Sequence, residues 1–182
     1  MVKARRDNTL IDALEAIEPV TFDGAVWRLV RDGRDPLQCS ASGGRWDDGS
    51  FDVLYTSMSQ AGAVEEMRFH LMRGQPVMPS KVRYRLFELE LALERALQFL
   101  DLSSFAAVGL KTETFGRLSY QQKNDEYPRT QEIAEVAHFL DFDGLIVPSA
   151  RSEQLNVVVF CDKVQSLQQS PVKDHGLVDW SH

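Results

Sequence analysis

Residues 43–66 read GGRWDDGSFDVLYTSMSQAGAVEE, passing from loop to strand to helix within one short stretch. Gly43 and Gly44 give the backbone access to positive φ or to close approach by a ligand. Arg45 follows at once, with a planar fork that suits phosphate or carboxylate. Phe51 to Thr56 is short, apolar and aromatic, as a buried strand is. Ser59 then predicts an N-cap, with a helix from about Gln60 to Arg73. A strand bearing Tyr55 and a helix bearing Glu65 and Glu66 would aim both kinds of group at one cleft. Without a cleft, the same stretch is a strand–helix unit with a solvated face.

Working outward, Leu10, Ala13, Leu14 and Ile17 recur at helical spacing and predict an N-terminal helix over about 8–18, ending before Pro19. Phe22 to Val30 predicts the first core strand, with Arg28 inside it. Downstream, Val82 to Leu93 alternates as a long strand, and Leu97 to Leu102 suits strand or helix. Lys111 to Tyr127 is polar and reads as loop. Pro128 predicts the N1 position of a helix reaching Leu140. Leu145 to Val147 is a short buried strand stopped by Pro148, and Asn156 to Cys161 is another core strand. The polar stretch over about 163–182 reads as a peripheral tail. Strands outnumber helices and their order is not βαβ. An α+β fold on a curved or split sheet follows, as one domain over 1–182 with its core at about 22–161.

At 182 residues the chain suits one domain, large enough to bury about two thirds of its unfolded surface. A net charge of −7 argues against a nucleic-acid surface while leaving room for a local basic pocket. Cys39 and Cys161 are the two cysteines, and neither they nor the four histidines show zinc spacing. Two thiols in a reducing setting are favoured over a disulfide. No signal peptide or membrane span is read, so the expectation is an acidic, soluble, cytoplasmic domain with no metal. No dinucleotide fingerprint, P-loop, HExxH or GxSxG occurs. His70 and His138 read as packing or surface residues, and Ser149 follows a proline where many serines merely close a turn.

What remains is two arginines, a tyrosine, a glutamate and a serine on separate elements. Arginines suit a pyrophosphate, an aromatic ring a planar heterocycle, and a carboxylate ribose hydroxyls. The carboxylate would also stabilise positive charge developing at an anomeric carbon.

VWRLVR (26–31), GGRW (43–46), LYTS (54–57), AVEE (63–66), DGLIVPSAR (143–151) and NVVVF (156–160) together resemble the RES domain. That family is named for its arginine, glutamate and serine, and it supplies the toxins of bacterial Xre–RES toxin–antitoxin pairs. The resemblance spans roughly Val26 to Phe160. It implies an ADP-ribosyltransferase-like fold, NAD as the substrate, and an antitoxin that covers the active site. Members cleave the nicotinamide–ribose bond. Some pass ADP-ribose to phosphate or water, as NAD phosphorylases and glycohydrolases do, and others place it on a host protein. Residue by residue, Arg28 and Arg45 match the arginines, Tyr55 the strand tyrosine, and Ser149 the late serine. Aligning AVEEMRFH on His70 selects Glu66, although Glu65 is its neighbour. The two lie about 100° apart on a helix, so one alone can face the cleft. The resemblance thus assigns catalysis to Glu66, Arg45 and Ser149, and NAD binding to Arg28, Arg45, Tyr55 and Ser149. Two other readings stay open: a protein ADP-ribosyltransferase, and a non-enzymatic module in which Arg45 and the glutamates form a structural salt bridge.

Overall fold

Two long antiparallel strands set the frame. β1 (Val20–Arg31) and β3 (Tyr84–Gln98) pair from Val20↔Ala96 to Arg31↔Tyr84. The computed structural model describes residues 5–73, 81, 83–113, 115–116 and 123–181. Within it the sheet is completed by β2 (Val53–Ser57), β4 (Gly144–Pro148), β5 (Leu155–Phe160) and β6 (Val172–Leu177). β1 pairs with β2, β2 with β5, β5 with β4, and β4 runs parallel to β3. Because β3 also pairs with β1, the sheet curls into a closed ring, and β6 extends it from β3. The α+β architecture with a curved sheet is therefore present.

Alternation drives the strands. Leu89, Leu91 and Leu93 of β3 are buried while Glu90, Ala92 and Glu94 face out. The strand does not stop at Leu93 as its pattern suggested. The Asp143 carboxylate accepts from the backbone N–H groups of Glu94 (2.7 Å) and Arg95 (3.0 Å). Past that anchor, Ala96, Leu97 and Gln98 pair with β4. The ambiguous 97–102 stretch thus divides into a strand end and a 3₁₀ turn over Leu102–Val108, capped by Asp101.

On β5, Val158 and Phe160 face one apolar cluster, shared with Leu10, Phe105 and Ile133, while Val157 and Val159 face a second with Val26, Leu54 and Leu89. α1 (Asn8–Glu15) and α3 (Lys123–Phe139) cover the first. α2 (Gln60–Met72) covers a third, smaller cluster built on Leu29, Ala63 and Leu86. Ser59 caps α2 as its sequence predicts, accepting from Gly62 N at 2.8 Å.

Three expectations are corrected. Pro128 is not at N1: α3 starts at Lys123, so the proline lies inside the helix. The missing amide forfeits one helical hydrogen bond, but the extra turn carries Glu126 and Tyr127 toward Arg45. The 163–182 stretch lies at the surface as expected but is more than a polar tail. Leu167 is buried, Val172–Leu177 forms β6, and Val178 and Trp180 pack on the third cluster. Finally, Cys39 and Cys161 are not separate thiols but a disulfide with Cα atoms 6.6 Å apart. Ser40 pairs with Val53, and Cys161 N donates to Asp52 O at 3.1 Å, so both cysteines flank the same end of β2.

The disulfide spans 122 residues of chain, and loop-closure entropy makes so long a link worth about 2–5 kcal/mol. A Cys39→Ser/Cys161→Ser variant is expected to unfold at lower urea with an unchanged folded spectrum. Equal midpoints for the variant and the oxidised protein would show that the link contributes nothing.

Candidate functional site

β1 and β2 share a single registered pair, Trp27↔Ser57, before they splay. The gap opens a cavity of about 330 Å³, within the size range of small-ligand sites. Arg28 of β1, Tyr55 of β2, Glu66 and His70 of α2, and Arg45 line it. Where further backbone pairing would lie, the Arg28 side chain reaches across, donating to Tyr55 O (3.2 Å) and Gln38 O (3.3 Å). Burial lowers the Arg28 pKa to about 10, with Asp35 opposing, so the guanidinium stays charged at neutral pH. Its buried Nε has no partner among the described residues.

The GGRW loop is held by a residue the sequence reading did not single out. Asp47 is fully buried; its Oδ1 accepts from Gly43 N (2.7 Å), and its Oδ2 from Gly44 N (2.9 Å) and Tyr55 Oη (2.7 Å). Tyr55 Oη in turn accepts from Trp46 N at 3.0 Å. Gly44 is required by space, since a Cβ there would lie 2.6 Å from Tyr55 Oη. Burial, reinforced by Asp47, pushes the Tyr55 phenol well above its ordinary range. The Tyr55 hydroxyl is thus committed to the loop, while the residue also lines the cavity.

Arg45 projects from this loop and pairs with Glu126, with both side chains nearly buried. Its guanidinium lies 4.7 Å from the Phe115 ring centroid and 4.9 Å from that of Tyr127. The salt bridge is thus made with a glutamate of the segment read as loop, not with the α2 pair. A third arginine, Arg151, also lines the cavity, stacking 3.4 Å from the Phe69 ring centroid. Burial lowers its pKa, and the nearby Arg45 charge adds to the effect.

The two glutamates separate cleanly. Glu65 is half exposed and lies 3.7 Å from Arg68. Glu66 faces the cavity, where its Oε1 accepts from Ser149 Oγ (2.5 Å) and Asn156 Nδ2 (3.1 Å). Ser149 is buried behind Glu66. Besides donating to it, Ser149 Oγ accepts from Arg151 N (3.0 Å) and Ser152 N (3.2 Å). Its bonding capacity is filled, so it orients Glu66 and has nothing left for a ligand. His70 follows one turn after Glu66; it is a surface residue, as expected, and it also lines the cavity. Although one edge is open to solvent, the surrounding protein disfavours its charged form and lowers its pKa, with Glu66 opposing.

Arg28, Arg45, Tyr55, Glu66 and Ser149 thus converge as the sequence suggested. Asp47, Glu126, Arg151 and Asn156 were missed. Asp47 had a local signal, an Asp three residues after a glycine pair; Asn156 and Glu126 had none, because their partners are distant in sequence. Among the described residues, no group of three His, Cys, Asp or Glu could hold a metal ion, and no helix is long and apolar enough to cross a membrane.

No curated protein sequence matches the chain. Among solved structures, a chain of the M. tuberculosis MbcT–MbcA toxin–antitoxin complex has a similar fold, with a TM-score of 0.75 at 20% identity over 95% of this chain and 92% of that one. The profile of the RES domain matches residues 25–181. With most of its length inside that match, from the first strand to the last, this chain belongs to the RES domain family.

Proposed function

We propose that this protein is the toxin of a toxin–antitoxin pair and that it consumes NAD in the cytoplasm, cleaving the nicotinamide–ribose bond and passing ADP-ribose to phosphate or water. One observation carries the reading. Glu66 is fixed by Ser149 and Asn156 on the wall of a cavity that also presents Arg28 and Arg45. Membership of the RES family and the fold shared with the toxin–antitoxin chain support it. The donor set fits a dinucleotide: three arginines line the cavity for phosphates, and the orphaned Arg28 Nε adds a buried donor.

In the reaction, the C–N bond breaks with its electron pair going to the pyridinium nitrogen, so nicotinamide leaves neutral and needs no proton. Positive charge develops on the ribose, where the Glu66 carboxylate stabilises it. Phosphate or water then attacks the anomeric carbon and loses a proton to solvent. Arg28 and Arg45 hold the dinucleotide, and the Tyr55 ring bounds the nicotinamide side. Purified protein incubated with NAD, with and without phosphate, is expected to release nicotinamide. Silence in both, with no label transferred to lysate proteins, would remove the enzymatic reading. Label transfer instead would make this a protein ADP-ribosyltransferase.

Affinity should depend on Arg45. In a Glu66→Gln background, Arg45→Lys is expected to weaken NAD binding about tenfold, because a point charge lacks the bidentate fork. Arg45→Ala should weaken it further and also destabilise the fold, since it strands the buried Glu126. Equal affinities by calorimetry would make Arg45 purely structural.

The antitoxin is expected to seat an acidic or C-terminal segment at the mouth near Arg45, a local basic target on a protein of net charge −7. Co-expression with the adjacent open reading frame should restore growth lost on expressing this chain alone.

A further inference from the structure

Asn156 is only half used by the protein. Its Nδ2 donates to Glu66 Oε1 at 3.1 Å, while its Oδ1 is shut off from solvent and has no partner among the described residues. The direction of the amide is set by chemistry. Turned over, its carbonyl oxygen would face the Glu66 carboxylate and be repelled, so Oδ1 must point away from it. A buried acceptor left alone is unfavourable unless something else supplies a donor. Asn156 lines the cavity, so a rotation of its side chain on binding would bring the closed-off Oδ1 within reach of a ligand's donor.

Glu66 shows the matching vacancy of bonding. Ser149 and Asn156 both bond to Oε1, and no hydrogen bond among the described residues reaches Oε2. Two side chains that touch each other therefore carry two unused acceptors, Glu66 Oε2 and Asn156 Oδ1. Each calls for a neutral donor, and a ligand bearing two hydroxyl groups would supply both. A ribose diol is such a pair, whereas a phosphate offers acceptors only.

We propose that Asn156 is a specificity-determining residue that accepts the 3′-hydroxyl of the nicotinamide-side ribose while Glu66 Oε2 accepts the 2′-hydroxyl. The inference rests on the NAD reading above. The charge role of Glu66 places it beside the anomeric carbon, whose neighbour bears the 2′-hydroxyl, and this leaves the 3′-hydroxyl for Asn156. An amide serves here where a carboxylate would not, because it accepts from the sugar and donates to Glu66 through its two ends.

The test compares NAD with its analogue lacking the nicotinamide-ribose 3′-hydroxyl, reading kcat/KM from nicotinamide release. Wild-type protein should prefer NAD by about 10-fold to 100-fold, because the analogue leaves a buried acceptor unpaired. Asn156→Ala should lose activity on NAD yet treat the two substrates alike. Asn156→Asp keeps the acceptor but sets a second carboxylate beside Glu66. It should retain the preference while the acidic limb of its pH–rate profile moves to higher pH, because neighbouring carboxylates resist joint ionisation. If Asn156→Ala does not fold, Asn156→Ser replaces it in the same comparison. A preference for NAD that survives truncation of Asn156 overturns this inference alone and leaves Asn156 as a brace for Glu66. Wild-type protein that releases no nicotinamide overturns the NAD reading and this inference together.

Discussion

Glu66→Gln is expected to abolish nicotinamide release, by at least a hundredfold, while the protein stays folded. Glutamine keeps the shape and can still accept from Ser149 and Asn156, so the packing around Oε1 survives. The charge that faces the developing oxocarbenium is lost, and electrostatic groups of this kind are worth about 3 kcal/mol or more. Glu65→Gln is the internal control. Glu65 is half exposed and sits on Arg68, so its removal should leave most of the activity. A glutamine at 66 that turns NAD over at the wild-type rate would dismiss the carboxylate mechanism, and the reverse ranking of the two variants would move the site to Glu65.

Asp47→Ala is expected to be the most damaging single truncation for stability outside the apolar core. It strips an acceptor from Gly43 N, Gly44 N and Tyr55 Oη at once, in a place closed to water. Leaving such donors unpaired should cost about 3–5 kcal/mol. The loss should appear in urea as a lower midpoint with an unchanged slope. Tyr55→Phe removes one of the three donors, leaves Trp46 N without its acceptor, and should cost about 1–3 kcal/mol. Because Arg45 rides on the same loop, nicotinamide release should fall along with stability. A wild-type midpoint for Asp47→Ala would mean that the loop is held by something other than this carboxylate.

Much of this molecule was readable in its residues. Ser59 announced the start of α2, and the alternation of Leu89, Leu91 and Leu93 announced β3, because caps and strand faces are local properties. Where local cues failed, a distant partner had decided. β3 runs past Leu93 because Asp143 anchors its backbone. α3 begins before Pro128, where Arg45 meets Glu126 across 81 positions of chain. Asn156 looked like the first residue of a strand, and only the fold lays it against Glu66, 90 residues earlier. The candidate site was legible through residue types that match a family pattern. Its supporting shell was not, since hydrogen-bond partners of this range leave no spacing to read.

The strand order also bears on when the site comes into being during synthesis. β2, which carries Tyr55, pairs along its length with β5, so Tyr55 meets Val158 only after the intervening hundred or so residues have been made. At about 5–20 residues per second, that is a delay of about 5–20 s between the two strands leaving the ribosome. Through that interval Glu66 has neither Ser149 nor Asn156 to hold it, and the walls around it have not closed. A nascent chain halted anywhere short of β5 therefore lacks the strand that pairs with β2 and the Asn156 contact to Glu66. The proposed chemistry would thus be withheld until translation is nearly over, which would give the proposed antitoxin time to be present when β5 falls into place.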